Sequence, residues 1–553
     1  MSEETRNKTT NSVLLQGSIL AGASLLVRII GLVYRIPLTR IIGDDAMGYY
    51  STAFEFYNLA LLLSSYSLPL AVSKLVSARQ IQERYKDARR VFIVALTFGF
   101  VVGSIASLLV YFGADLYGQF NHTPLVAIPL RVLAPTIFVF SVMGVVRGYF
   151  QGYNNMLPTA LSQVVEQIVN AVVSVGAAIW MMNKYAGTPE QSAYGAAGGT
   201  LGTFLGACAA AVTLFILLLF RKKHPVEGAK ETASENYRYI LWMLIITVIP
   251  VVISQTVYQL SGTIDVTIFH RTLDAKHIAE ETRNTWWGIY SAKYKLLTNV
   301  PVAIASAMGT AIVPSLVAER VRGHADRINQ KVASAIKFNM IIAFPCAFGL
   351  IALGGPILQM LYGDTRALGA KMMAVGGIAV VFFALSTVTN GVLQGINHMF
   401  VPVWHSLLAL VIHCVALFML LRNTDIGAIG LVVCNVLFAL VVCILNGLSI
   451  RRYLHYRQEW KTVFVIPFIA SALMGAVAYG GYRVLYKLLA GLIPGHVTLT
   501  NLVACVSMIG LSVIVYFVLL IAMKGVSQAE IREMPKGRVL LRFLIKLHLM
   551  KAE

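Results

Sequence analysis

Residues 148–156 read Gly-Tyr-Phe-Gln-Gly-Tyr-Asn-Asn-Met, and residues 391–399 read Gly-Val-Leu-Gln-Gly-Ile-Asn-His-Met. Both fit the pattern G-x-x-Q-G-x-N-x-M, offset by 243 positions. Each copy follows a long apolar run (125–147 and 373–389) and precedes another (159–181 and 403–421). Shared identities at matched spacing, in matched hydropathy context, imply two homologous halves. Such repeats are common in secondary transporters. The phrase therefore predicts a duplicated bundle of membrane helices.

Composition points the same way. Only 13% of the 553 residues are charged, about half the share in a soluble domain, so a bilayer-embedded bundle is expected in place of several soluble domains. The first apolar stretch, Val13 to Ile42, is too long for a signal-peptide core and leads into no small-residue cleavage site, so no cleavable leader is expected. The six cysteines all fall in apolar segments without a C-x-x-C and read as packing residues, with no metal or cofactor implied.

About fourteen stretches are long enough to cross a hydrocarbon core as helices. The predicted fold class is an all-α integral membrane protein: two pseudo-symmetric six-helix lobes and a C-terminal helix pair. Residues 13–221 form the first lobe, 222–237 a basic cytoplasmic linker and 238–450 the second lobe. Residues 462–523 form the last pair and 524–553 a basic amphipathic tail. The tail either lies in the inner interface or packs on the bundle as a cytoplasmic helix. With the N-terminus inside and strict alternation, inside segments carry 28 Lys and Arg and outside loops 9. That asymmetry predicts both termini in the cytoplasm. The net charge of +20 then reflects topology and anionic lipid, with no nucleic-acid partner needed.

Ionisable residues deep in spans are costly and face the bundle interior by default. Arg28 and Arg35 lie two turns apart on one face of the first helix, with Gly31 between and Pro37 after. Two cations in a Gly/Pro-interrupted helix suit a cavity that receives an anion, because arginine binds phosphate oxygens bidentately and stays charged in low dielectric. Glu55 and Glu166 lie deep in the second and fifth helices, Glu166 flanked by Gln163, Gln167 and Asn170. Each carboxylate either borders the substrate cavity or neutralises an arginine. Lys293 and Lys295 open the eighth helix and Asp265 lies toward the outer end of the seventh. These three either serve the substrate or a coupling ion, or reach for the interface. His405 and His413 share one span and are structural or proton-relaying. There is no P-loop, H-E-x-x-H motif or nucleophile elbow, so neither an enzyme nor a directly ATP-driven pump is expected.

These residues resemble a known group. Arg28-Ile-Ile-Gly31, Arg35-Ile-Pro-Leu-Thr-Arg40-Ile-Ile-Gly43 and Gly48-Tyr-Tyr-Ser resemble the start of the MOP (multidrug/oligosaccharidyl-lipid/polysaccharide) exporter superfamily. Leu68-Pro-Leu-Ala-Val-Ser-Lys-Leu-Val-Ser77 is similar to the close of the second helix in its stage V sporulation protein B-like branch. Leu296-Leu-Thr-Asn-Val-Pro301 and Val313-Pro314-Ser-Leu resemble its eighth helix. The resemblance covers nearly the whole chain. It implies a multi-pass bacterial cell-membrane flippase for undecaprenyl-pyrophosphate-linked sugars, related to the MurJ-type lipid II flippases. It also implies a cationic cavity between lobes and a groove at the final helix pair. Arg28 matches the first cavity arginine of that group. The chain then departs: Tyr34-Arg35 replaces an arginine followed by an acid, Leu61 replaces a basic residue, and Leu296 stands at the eighth-helix basic position with Lys295 one earlier.

The leading function is thus transfer of a lipid II-like cell-wall precursor from inner to outer leaflet by alternating access. Exopolysaccharide or teichoic-type repeat-unit flipping is the same-fold alternative. A cation-coupled multidrug exporter is disfavoured by the extra helix pair and by Arg28 with Arg35, and an inert scaffold by the buried charges. The expected partners are a lipid-linked oligosaccharide and membrane lipid. Na+, H+ or the membrane potential is the expected drive, and cell-wall synthesis proteins are possible neighbours. The expected substrate-binding residues are Arg28, Arg35, Lys295, Glu55 and Glu166. Asp265 is the coupling-ion candidate.

Overall fold

The computed structural model describes residues 3–220, 235–322, 324–456, 458–492 and 494–528. Most of the basic linker (221–234) and most of the tail (529–553) lie outside them. Among the described residues the chain is all helix, with no strand. It divides into two compact units, Met1–Ala292 and Lys293–Glu553.

The first unit holds α1 (Glu3–Leu61), α2 (Leu68–Ile81), α3 (Tyr85–Phe120) and α4 (Ala127–Gly152). It continues with α5 (Leu157–Lys184), α6 (Gln191–Leu219), α7 (Tyr237–Asp274) and the short α8 (Glu280–Gly288). The division by packing falls later than the division expected from the repeat: α7, expected in the second half, packs on α1, α2 and α3. The second unit holds α9 (Leu296–Val321), α10 (Ala325–Tyr362), α11 (Ala367–Gly376) and α12 (Ala379–Gly395). It ends with α13 (Val401–Asn423), α14 (Ile429–Leu454), α15 (Ile466–Leu492) and α16 (Val497–Ala522). Among the described residues, nine helices are long and apolar enough to cross a membrane, and α11 with α12, bent by 43°, makes a tenth candidate span. Large apolar side chains such as Leu109, Phe112 and Leu116 of α3 point outward, as a lipid-facing surface requires.

α1 carries two apolar segments in one element, broken at Gly43 with φ 79° and ψ 175°. That conformation is open only to glycine. The break is neither at Gly31, which packs against Gln167, nor at Pro37, which the helix accommodates. α5 and α6 close on a glycine ladder. A Cβ on Gly198, Gly202 or Gly206 would meet the Ala177 carbonyl at 2.6 Å, the Ser174 hydroxyl at 2.1 Å and the Glu166 carbonyl at 2.6 Å. Small residues at four-residue spacing let two backbones approach where no water drives association.

The repeated phrase is a helix stop. Asn154 (φ 56°) and Asn397 (φ 64°) both adopt the left-handed conformation that ends a helix. In both copies the amides turn back alike: Asn154 to the Gln151 carbonyl (2.8 Å) and Asn155 to Phe150 (3.1 Å), Asn397 to Gln394 (3.0 Å) and His398 to Leu393 (2.9 Å). The glycine before each asparagine is a packing point. A Cβ on Gly152 would lie 2.7 Å from Val76 of α2, and one on Gly395 3.1 Å from Leu316 of α9.

In the second unit α10 contains Pro345 and Pro356. A helical proline leaves the carbonyl four residues earlier without its amide. For Pro345 that carbonyl is Ile341, and the Tyr516 hydroxyl of α16 donates to it at 2.8 Å. Asn501 of α16 donates to the Pro356 carbonyl at 3.1 Å and accepts from the Tyr482 hydroxyl at 2.6 Å. The last helix pair is thereby keyed to the irregularities of α10.

Candidate functional site

The site begins with α1. Its face toward α5 is set by small and aromatic residues: Gly31 lets Gln167 approach, with a Cβ there 3.2 Å from the amide nitrogen, and the Tyr34 hydroxyl accepts from the Asn170 amide at 3.4 Å. Arg28 and Arg35 flank this strip, because residues 28, 31 and 35 fall on one side of a 3.6-residue helix. Arg28 is exposed and Arg35 half-buried. Among the described residues Arg28 makes no ion pair.

α5 presents polar residues at four-residue spacing. Ser174 donates to the Asn170 side chain (2.9 Å) and the Gly199 carbonyl (2.7 Å). One and two turns earlier stand Glu166 and Ser162. Arg147, nine-tenths buried in α4, donates to Ser162 at 3.0 Å and to Glu166 at 2.8 Å. Glu166 is thus the counter-charge of Arg147. A carboxylate and a guanidinium in a low-dielectric interior are strongly destabilised if separated, so this pair fixes α4 to α5.

Glu55, in the second segment of α1, reaches α7: its carboxylate lies against Gly262, where a Cβ would come within 2.1 Å. Asp265 is buried on the same helix. Glu55 therefore belongs to the α1–α7 contact, while Glu166 is held by Arg147 of α4. Lys295 belongs to the second unit, half-buried at the end of a π-helical turn, Ile289–Lys295. Its neighbour Lys293 does not reach for an interface: it is buried in an ion pair with Asp364 and lies 5.5 Å from the Tyr362 ring. His405 and His413 are tied into that unit, the first to Asn446 and the second to the Cys434 carbonyl, both at 2.8 Å.

Several charged residues acquire roles that spacing alone did not assign. Arg283, one of the nine cations that the span count leaves in outer loops, is buried; it donates to the His270 carbonyl (2.8 Å) and the His122 carbonyl (3.2 Å) and pairs with Asp274 (3.0 Å). Glu235, just before α7, is gripped by Arg79 and Arg84 and accepts at its own carbonyl from Arg90. Polar residues recur at 263, 267, 270 and 274 of α7, whose second half is rich in polar side chains. No cluster of three or more His, Cys, Asp or Glu suited to a metal occurs among the described residues.

The all-helical fold with buried cations agrees with the known relatives. The chain is 25% identical over 539 residues to a Bacillus subtilis (strain 168) protein named lipid II flippase MurJ, covering 88% of this chain and 98% of that one. It is 23% identical over 534 residues to stage V sporulation protein B of the same organism, covering 95% and 98%. A solved structure of lipid II flippase MurJ in an inward closed conformation superposes with a TM-score of 0.64 at 14% identity, over 90% of this chain and 97% of that one. The family model for polysaccharide biosynthesis proteins matches residues 13–319, and the chain belongs to that family and has the fold of the MOP exporter superfamily.

Proposed function

We propose that this protein is a flippase of the bacterial plasma membrane that carries an undecaprenyl-pyrophosphate-linked cell-wall precursor, lipid II-like, from the inner to the outer leaflet. It is a multi-pass transporter and not an enzyme. The observation that carries the reading is the α1 face with Arg28 exposed and Arg35 half-buried, while Glu166 is engaged by Arg147. A large anionic headgroup cannot cross hydrocarbon bare. Paired guanidinium groups replace the hydration of its pyrophosphate. A membrane potential negative inside favours outward movement of an anion by about 2.3 kcal/mol per charge per 100 mV, and Glu55 and Asp265 are the candidates to couple an ion. The family's description favours a second reading in the same class, an exopolysaccharide or teichoic-type repeat unit as cargo. Depleting the protein and identifying the lipid-linked intermediate that accumulates on the inner leaflet decides between them. Accumulation of none would remove both.

Fourteen spans with both termini inside are part of the proposal. Thr188 and Gln82 are both exposed and so suit cysteine labelling. In a background without native cysteines, a membrane-impermeant thiol reagent added to intact cells should label Thr188→Cys and spare Gln82→Cys. The reverse pattern would invert the topology.

A further inference from the structure

α7 presents Thr263, Thr267, His270 and Asp274 on one face, at spacings of four, three and four, which line up along a helix. The stripe covers about 16 Å at 1.5 Å per residue. Its deep end touches the acid: Thr263 donates to the Glu55 carbonyl at 3.4 Å, and the Glu55 carboxylate rests on Gly262. One turn on, the Thr267 hydroxyl meets the Asn121 carboxamide oxygen at 2.8 Å. At the far end Asp274 pairs with His122 at 2.7 Å, and both side chains are substantially open, 37% and 45% exposed.

Between them sits His270. It is fully buried, and among the described residues neither ring nitrogen has a partner. The Tyr117 hydroxyl and the Thr123 hydroxyl are also buried without a partner. A dry orphan of this kind costs about 1–3 kcal/mol. A neutral imidazole donates from one nitrogen and accepts at the other, so water, which also does both, is the occupant that satisfies it. The charged and titratable neighbours are Arg283 of α8 and the Asp274–His122 pair at His270, with the Trp287 ring 6.0 Å away. At Glu55 the Tyr117 ring of α3 is a titratable neighbour.

We propose that this stripe is a hydrated proton path from the outer surface to Glu55, and that Glu55 is the group whose protonation resets the transporter. The inference rests on the flippase reading and its topology. A proton from outside water arrives at His122 and Asp274. Water delivers it to one ring nitrogen of His270 while the other nitrogen releases its own proton inward. The threonine hydroxyls and water pass that proton to the Glu55 carboxylate, which becomes a carboxylic acid. One proton enters, no electron moves, and the proton leaves when Glu55 ionises again on the opposite side. The tautomer exchange at His270 is the step that no other residue of the stripe can perform.

The test uses the full chain in lipid nanodiscs, without lipid-linked substrate. After a rapid pH drop, the infrared carboxyl band of protonated Glu55 is followed in time and assigned by its loss in Glu55→Gln. His270→Phe and His270→Gln should slow its appearance about tenfold or more while leaving its final amplitude intact, and Thr267→Val should slow it less. A melting curve checks that each variant is folded. If the His270 variants do not fold, Thr267→Val carries the test alone. Wild-type rates in all folded variants, or no Glu55 band at all, would overturn the path. Because this readout needs no cargo, its failure leaves the flippase reading standing, whereas the depletion experiment can remove that reading and leave the path.

Discussion

Arg28→Ala and Arg35→Ala are each expected to abolish growth of a flippase-depleted strain at matched expression, while Arg320→Ala grows like wild type. Hydrogen bonds to a charged group contribute about 1.5–3 kcal/mol, so losing one guanidinium fork weakens pyrophosphate capture by roughly ten- to a hundredfold. Lysine at either position should rescue only in part, because it offers a point charge without the planar fork. The fold should survive, since Arg28 is exposed and the core around it is built from Tyr34, Leu38 and Ile42. Arg320 is an exposed cation at the end of α9 and serves as the control. If both arginine variants grow as Arg320→Ala does, phosphate capture by this face is wrong, and the drug-exporter and scaffold readings rise.

The second large effect is on stability. α1 and α8 cross with glycine facing backbone: a Cβ on Gly288 would lie 2.0 Å from the Asp44 carbonyl oxygen, and one on Gly48 2.2 Å from the Asn284 carbonyl oxygen. No side chain can rotate aside, so Gly288→Ala must push the helices apart. Overpacking of this kind costs about 3 kcal/mol or more. The displacement also breaks the Tyr49–Glu280 hydrogen bond (2.8 Å) and the Ser291–Ser51 bond (2.7 Å) on the same contact. Gly113→Ala is the matched control, with nothing within 4 Å of its Cβ, and should gain about 0.5–1 kcal/mol from helix propensity. Melting of the purified protein should separate the two variants widely. A difference under about 2 °C would refute the close crossing.

How much of this was legible beforehand follows a physical line. The repeated phrase could be read because its message is local: a helix stop needs a left-handed residue, and asparagine tolerates that conformation. The face shared by Arg28 and Arg35 is likewise a matter of helical period. Partners were not legible. Glu166 stood open between cavity and counter-charge, and only packing brought Arg147, 19 positions earlier, to it. Lys293 meets Asp364 across 71 positions, a separation at which spacing carries no information. Gly43 was one of several glycines in the first 50 residues, and nothing in the chain marks it as the one at positive φ. The burial of Arg283 was not legible for a related reason, because the carbonyls of His270 and His122 that it meets come from two other elements.

The carbonyl of Ile341 and the hydroxyl of Tyr516 are 175 residues apart in the chain. During synthesis at about 5–20 residues per second, that distance is roughly 10–35 s of elongation. Throughout that interval α10 sits in the bilayer with an acceptor that its own proline has orphaned, in a solvent that cannot satisfy it. The second unit is therefore finished from its far end: the bend in α10 can be locked only once α16 has been made and inserted. A ribosome halted before Tyr516 would hold a nascent chain whose tenth helix is already built but whose shape is not yet settled, and that stalled intermediate is where chaperones and membrane proteases would meet this protein.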